Sequence, residues 1–211
     1  MAIVITVFGS GTCESATPAY EHASQLGQAI AQAGWTLCNG GYGGTMEAAA
    51  RGAVEAGGHT IGVTCRIPQW PGPANRWIRQ EVPTFDLLSR LNILVRLADG
   101  FVGLPGGTGT LLEVALVWEL VNKGLLPVFS SPAARKPSKA PDPASGAAYV
   151  RVPTGRVPPF VLLGDCWRPV IDTIRRQQPS APDLPVVADV GVAIDLLKDE
   201  LNSNHTGTNA P

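Results

Sequence analysis

Residues 105–113 read Pro105-Gly106-Gly107-Thr108-Gly109-Thr110-Leu111-Leu112-Glu113 and follow the apolar run Gly100-Phe101-Val102-Gly103-Leu104. A short buried strand that enters a glycine turn, with the turn opening a helix, is a device for holding phosphate. Glycine lets the backbone take positive φ and lets a ligand approach with no Cβ in the way. The first N–H groups of the helix, expected over residues 111–121, have no intrahelical partner and lie at the positive end of its dipole. Glu113 is then expected in the first turn, close to the bound anion.

Two further glycine turns follow apolar runs: Gly9-Ser10-Gly11 after residues 3–8, and Gly40-Gly41-Tyr42-Gly43-Gly44 after residues 35–38. Glycine also serves tight strand–helix packing, so one such turn says little. Three of them on one sheet edge point to a nucleotide or sugar-phosphate pocket, with Met46 and Glu47 lining it beside the second turn. None is a P-loop, because no Gly-Lys-Ser/Thr follows. None completes the dinucleotide fingerprint, because Glu14 stands where the first turn would need its third glycine. No acidic ribose-binding residue is evident after the second strand, which argues against a dinucleotide oxidoreductase.

These turns need rigid elements behind them. Short apolar runs at residues 3–8, 35–38, 59–64, 100–104, 159–163 and 184–188 alternate with helical patterns at 18–33, 45–56, 85–98, 111–121, 166–177 and 190–201. The alternation predicts a single α/β domain over residues 1–202, Rossmann-like, with a doubly wound and mainly parallel sheet. Residues 66–83 hold Pro68, Pro71, Pro73 and Pro83 and read as a loop. Residues 130–157 are rich in proline, alanine and basic side chains and read as an insertion, either a structureless loop or a lid that attracts phosphate. Residues 203–211 read as a disordered tail.

The hydrophobic fraction of 45% and charged fraction of 16% over 211 residues are those of a globular protein able to bury a core. A formal net charge of −1 gives no electrostatic case for nucleic acid or an anionic membrane. No apolar run reaches the length of a membrane span. Met1-Ala2-Ile3-Val4-Ile5-Thr6-Val7 lacks a basic leader and reads as a core strand, so a cytoplasmic location is expected. Cys13, Cys38, Cys65 and Cys166 have no metal-like spacing and read as free thiols, either buried small residues or neighbours of the strand-end site. No metal and no cofactor is expected. Asp99 reads as a backbone cap, and His22 and His59 as structural. Arg76 and Arg79 read as solvated surface that could reach a phosphate. Trp70 and Trp77 could stack on a base or pack an interface.

The 105–113 stretch matches Pro-Gly-Gly-x-Gly-Thr-x-x-Glu, the signature of the LOG (Lonely Guy) family, formerly mislabelled as lysine decarboxylases. Gly40-Gly41-Tyr42-Gly43-Gly44-Thr45-Met46-Glu47-Ala48 resembles that family's earlier glycine motif, and Arg90 stands where the family carries its catalytic arginine. The resemblance covers residues 1–125 and 159–200. It implies a phosphoribohydrolase that cleaves nucleoside 5′-monophosphates, among them cytokinin riboside 5′-monophosphate, into free base and ribose 5-phosphate. It also implies a homodimer or a larger assembly of dimers, and the apolar residues Leu88, Ile93, Val117 and Trp118 on the helices expected over 85–98 and 111–121 offer surface for such an interface. Breaking an N-ribosidic bond develops oxocarbenium character. A carboxylate near the sugar must stabilise that charge and direct a water, with a donor for phosphate or leaving base. Glu113 and Arg90 suit those roles; a dipole-complementing acid and a surface ion pair are their plain alternatives. The chain departs from the cytokinin-activating members at Arg90-Leu91, where they have Arg-Lys, and at Met46-Glu47, where they have Met-Gly. The related molybdenum cofactor carrier proteins use the same fold without turnover. A non-catalytic nucleotide or molybdenum cofactor carrier is therefore the second reading.

Overall fold

Side chains along a strand alternate between its two faces, and here both faces are apolar. In Val4–Phe8 (β1), Ile5 and Val7 point to one layer of helices and Val4 and Phe8 to the other. The same split recurs along Thr36–Asn39 (β2), Gly100–Gly103 (β5) and Phe160–Leu163 (β6), whereas Thr60–Cys65 (β3) turns Ile61 and Val63 to the second layer and Thr60, Gly62 and Thr64 to the opposite face. The first layer holds Pro18–Gln32 (α1), Thr45–Glu55 (α2) and Val190–Thr206 (α6), which bury Leu26, Ala49 and Leu197 against Leu37, Val102 and Val161. The second holds Leu87–Leu97 (α3), Thr108–Lys123 (α4) and Arg168–Gln177 (α5), which bury Leu94, Val117 and Ile171 around Phe8, Phe101 and Phe160. The three rings lie 5.8–6.5 Å apart, centroid to centroid. Phe101 is fully buried, and truncating such a side chain to alanine costs ~3–5 kcal/mol.

This computed structural model describes residues 3–68, 72–126 and 157–206. The sheet has seven strands in the order β4-β3-β2-β1-β5-β6-β7, where Gln80–Thr84 is β4 and Val186–Val187 is β7. Every neighbouring pair is parallel, as expected of a doubly wound fold. Winding reverses between β1 and β5, and the crevice outside their carboxyl ends is where such sheets bind ligands. Asp99 caps the start of β1, its Oδ2 accepting the Val4 N–H at 2.9 Å.

Several expectations change. Residues 80–84 are a strand and not loop, because Pro83 sits on the sheet edge, where a missing N–H costs no ladder bond. The helix expected from residue 85 begins at Leu87, with Asp86 as its cap. The helix expected over 111–121 begins at Thr108, so the second half of the glycine turn, from Thr108, is the first helical turn and Gly107 is its cap position. Glu113 therefore lies in the second turn of α4. Gly106, Gly107 and Gly109 do not take positive φ; Gly41 and Gly44 do. A short 3-10 turn, Asp165–Trp167, precedes α5 where one helix from 166 was expected. Residues 203–206 continue α6, whereas a disordered tail was expected to begin there. The 130–157 insertion lies outside the described residues except for its last position, and so does Trp70.

Candidate functional site

The three glycine turns meet at the crevice between β1 and β5, and the backbone contacts explain why they are glycine. A Cβ on Gly9 would strike Thr45 Oγ1, and one on Gly44 would strike the Ser10 carbonyl. Gly44 has φ +65°, which an L side chain rarely adopts. The first turn and the second are thus locked together, and Ser10 O accepts both Thr45 N–H at 2.9 Å and Thr45 Oγ1 at 3.1 Å. Met46 lies between the turns, its sulfur against Gly40 and its methyl against Gly11. Glu47 is half-buried in the first turn of α2. Gly43 is open on the outer side, with only the Gly11 carbonyl nearby.

Two asparagines that the sequence reading passed over hold the second turn. Asn39, fully buried at the end of β2, accepts the Gly41 N–H at 2.8 Å and donates to Met46 O at 2.9 Å. Asn75 donates to Gly41 O at 3.1 Å and Tyr42 O at 2.7 Å. The only sequence signal for them is an asparagine at a strand end and another in a loop, patterns shared with ordinary turns.

The helix starts on this edge are closed in different ways: Asp189 Oδ1 caps α6 at 3.0 Å and α5 continues from the 3-10 turn before it. Thr17 Oγ1 caps α1 by accepting from Tyr20 N–H at 3.3 Å, Ser10 O closes α2, and Asp86 Oδ1 caps α3 at 2.8 Å. The helix α4 starts at Gly107 with no side-chain cap. Gly106, Gly107, Thr108 and Gly109 are exposed, and a Cβ on Gly107 or Gly109 would meet nothing within 4 Å. Pro105 packs toward Gly164 across the turn. Thr110 is buried with its hydroxyl against Gly106, so Thr108 is the hydroxyl left facing outward.

Arg90 and Glu113 come together beneath these turns. Arg90 is 5% exposed. Its Nε donates to Val63 O at 2.8 Å, its guanidinium packs against Gly40 and lies 5.6 Å from the Tyr42 ring centroid, and its Nη1 lies 3.6 Å from Glu113 Oε1. Burial pushes the Glu113 carboxyl up from 4.5 to about 7, although the Arg90 charge pulls the other way. Desolvation of a carboxylate can exceed the attraction of one neighbouring cation that is not hydrogen-bonded to it. A carboxyl that changes protonation near neutrality is suited to proton transfer and to stabilising a developing cation.

Most of the other candidates sit apart from this pair, although Cys38 is near enough to feel the Arg90 charge. His22 is exposed on α1, and His59 Nε2 pairs with Gln80 Oε1 at 3.4 Å. Arg76 stacks on Trp77, 4.7 Å from the ring centroid, and Trp77 is partly buried against the α1/α2 layer. Cys38 and Cys65 are buried, Cys13 is half-buried and Cys166 exposed; all four thiols are free. Among the described residues no cluster of His, Cys, Asp or Glu could hold a metal ion, and no helix is long and apolar enough to cross a membrane. A separate groove of about 270 Å³ runs between α4 and α5, lined by Leu111, Trp118, Ile171 and Ile174 among others. It is apolar and contains neither the glycine turns nor the Arg90–Glu113 pair.

The chain is similar to known proteins in sequence and in fold. A family model described as the SLOG cluster4 family matches residues 2–136. A protein of Archaeoglobus fulgidus is 35% identical over 112 residues, 53% of this chain and 71% of that one. A cytokinin riboside 5′-monophosphate phosphoribohydrolase of Mycobacterium tuberculosis is 36% identical over 99 residues, 46% of this chain and 53% of that enzyme, so the match spans about half the enzyme's length. Among solved structures, the molybdenum cofactor carrier protein of Chlamydomonas reinhardtii superposes with a TM-score of 0.66 at 26% identity, covering 96% of this chain and 99% of that one.

Proposed function

With membership of the SLOG cluster4 family as premise, we propose that this protein is a nucleoside 5′-monophosphate N-glycosidase that releases free base and ribose 5-phosphate. The observation that carries the reading is the buried Arg90–Glu113 pair, placed in and beside the helix whose start is open. The 5′-phosphate binds at the start of α4, where the N–H groups that follow Gly107 and the Thr108 hydroxyl face outward. The ribose then lies over Glu113. As carboxylate, Glu113 stabilises the oxocarbenium-like transition state and orients the attacking water. Arg90 holds that carboxylate in place and offers positive charge to the phosphate or the departing base. The curated relatives named as phosphoribohydrolases of cytokinin riboside 5′-monophosphate support the reaction class and make that nucleotide one candidate substrate.

A second reading rests on a different observation: the likeness to the molybdenum cofactor carrier extends over nearly the whole chain, whereas the likeness to the enzymes covers half. In that reading the open start of α4 holds the phosphate of a cargo and Glu113 does no chemistry. Incubation with a panel of nucleoside monophosphates, with chromatographic detection of free base, decides between them. Base release that Glu113→Gln abolishes supports the enzyme. Ligand binding without release from any nucleotide supports the carrier.

A further inference from the structure

The four glycines of the second turn are glycine for different reasons. Gly41 and Gly44 take positive φ, +79° and +65°. Gly43 has room for a Cβ, with the Gly11 carbonyl at an ordinary contact distance of 3.6 Å. Gly40 is buried and does not take positive φ, so no left-handed backbone calls for glycine there. What fills the place of its side chain is Arg90. A Cβ built on Gly40 would strike Arg90 Nη2, with Arg90 Cζ at 3.1 Å and Met46 Sδ at 2.7 Å.

We propose that Gly40 is a positioning residue: its bare Cα is the seat of the Arg90 guanidinium, and a side chain there drives the cation off the place it holds beside Glu113. The consequence for turnover rests on the proposed glycosidase reaction; the position of Arg90 does not.

Two neighbours could yield to a Cβ, and they differ in freedom. Met46 is unbranched and ends in a thioether, which repacks at small cost. Arg90 has less room. It is buried, and its Nε donates to Val63 O at 2.8 Å on β3, the strand beside β2. Gly40 follows directly on β2, so the guanidinium bridges the β3 backbone and the first residue of the turn. Its Nη1 lies 3.6 Å from Glu113 Oε1 on α4. A guanidinium is one rigid planar fork, so Nη2 cannot step off Gly40 without tilting or shifting Nε and Nη1 as well. A side chain at position 40 is thereby felt at Glu113, on another helix. Gly40 acts on the substrate through Arg90, not by touching it.

The test observes Arg90 directly. Its Nε–H resonance in ¹⁵N-labelled full-length protein is assigned by its loss in Arg90→Lys. It is then followed in Gly40→Ala and in Gly43→Ala, a change in the same turn where a Cβ has room. Gly40→Ala should shift the resonance and speed its exchange with solvent at least about tenfold, whereas Gly43→Ala should leave both as in wild type. Stability gives a second measure. Gly40→Ala should lower the melting temperature by at least about 3 °C. Lysine has no Nη2, so in an Arg90→Lys background the same substitution should lower it by less than about half as much. Where wild type releases base, Gly40→Ala should lower kcat/KM at least about tenfold.

An Arg90 signal that Gly40→Ala does not move, or that Gly43→Ala moves equally, overturns the proposal. So does an undiminished loss of stability in the Arg90→Lys background, or relief by Met46→Ala in its place, which assigns the bare position to the methionine. Turnover unchanged while the signal moves overturns it too. If Gly40→Ala does not fold, its combination with Arg90→Lys decides: a folded double variant supports the seat, and an unfolded one overturns it. A wild type that releases no base removes the glycosidase reading, and the Arg90 signal and the stability comparison still judge the seat.

Discussion

Glu113 is the residue on which most of the chemistry turns, and its environment makes two measurable statements. The first concerns catalysis. A carboxylate that stabilises developing positive charge works only when ionised, so kcat should rise as pH passes through about 7 and level off above it. Glu113→Gln should lower turnover of a nucleoside monophosphate at least about a hundredfold while binding persists. A loss smaller than about tenfold would remove Glu113 from the reaction. The second concerns stability. The folded-state pKa lies above the unfolded one, so this carboxyl's contribution is complete below 4.5 and is lost as pH climbs through about 7. The full loss approaches roughly 3 kcal/mol. Glutamine does not ionise and escapes that loss. The melting temperature of Glu113→Gln should therefore exceed that of wild type by more at about pH 8 than at about pH 5, where the two converge. An equal difference at both pH values would mean that Glu113 is not desolvated. From sequence alone Glu113 could be singled out by its signature, but its burial could not. Burial depends on packing by residues distant in sequence, such as Arg90, which lies on another helix.

Among the elements, α4 decides where an anion can bind. Of the other helices that start on this edge, α1, α3 and α6 have first N–H groups covered by Thr17, Asp86 and Asp189, α2 by the Ser10 carbonyl, and α5 continues from a 3-10 turn whose Asp165 carbonyl accepts the Arg168 N–H. The start of α4 is left to a ligand. Gly107→Asp tests this without crowding the fold, since a Cβ there meets nothing and the φ of −87° is ordinary. Aspartate would cap the helix and place its own carboxylate where the phosphate binds. Stability should stay level or rise by about a few tenths of a kcal/mol. Affinity for a nucleoside monophosphate should fall at least about tenfold, as a second negative charge competes for the same donors. Undiminished affinity, measured by calorimetry, would move the phosphate elsewhere. The sequence showed a glycine turn before a helix here, but it misplaced the helix start by three residues. Thr108 and Gly109, which could have continued the loop, belong to the first helical turn, and Thr110 packs back against Gly106. The missed strand β4 has a similar cause. Four prolines mark its neighbourhood as loop, and only pairing with β3 at the sheet edge makes Pro83 acceptable in a strand.

For the whole molecule, the strand–helix alternation was enough to derive the fold class, because the central strands β1, β2, β5 and β6 carry apolar side chains on both faces and only a sheet covered on both sides buries them. It could not assign apolar side chains between core and surface. Leu88, Ile93, Val117 and Trp118 all looked available for an interface, yet Val117 and Trp118 are core residues under α4 and Ile93 packs against the same layer. Leu88 is 76% exposed, and the structure adds Phe85 at 74% and Leu111 and Leu112 at 45% and 46%. These four stand at or near the starts of α3 and α4, on the edge that carries the glycine turns. Leu111 and Leu112 make α4 apolar outside as well as inside, a pattern of helices covered on both sides. We propose that a second copy of the chain covers them, giving a homodimer whose interface borders the site. Covering four large side chains at ~25 cal/mol per Å² is worth several kcal/mol per protomer, enough to offset part of the cost of association. Light scattering at micromolar concentration should give twice the chain mass of 22.1 kDa. Leu88→Glu combined with Leu112→Glu should return the monomer with its fold intact, because both positions are exposed and neither belongs to the core clusters. A wild type that runs as a monomer, or a double variant that remains a dimer, would place the covering of this apolar edge on something other than a second copy.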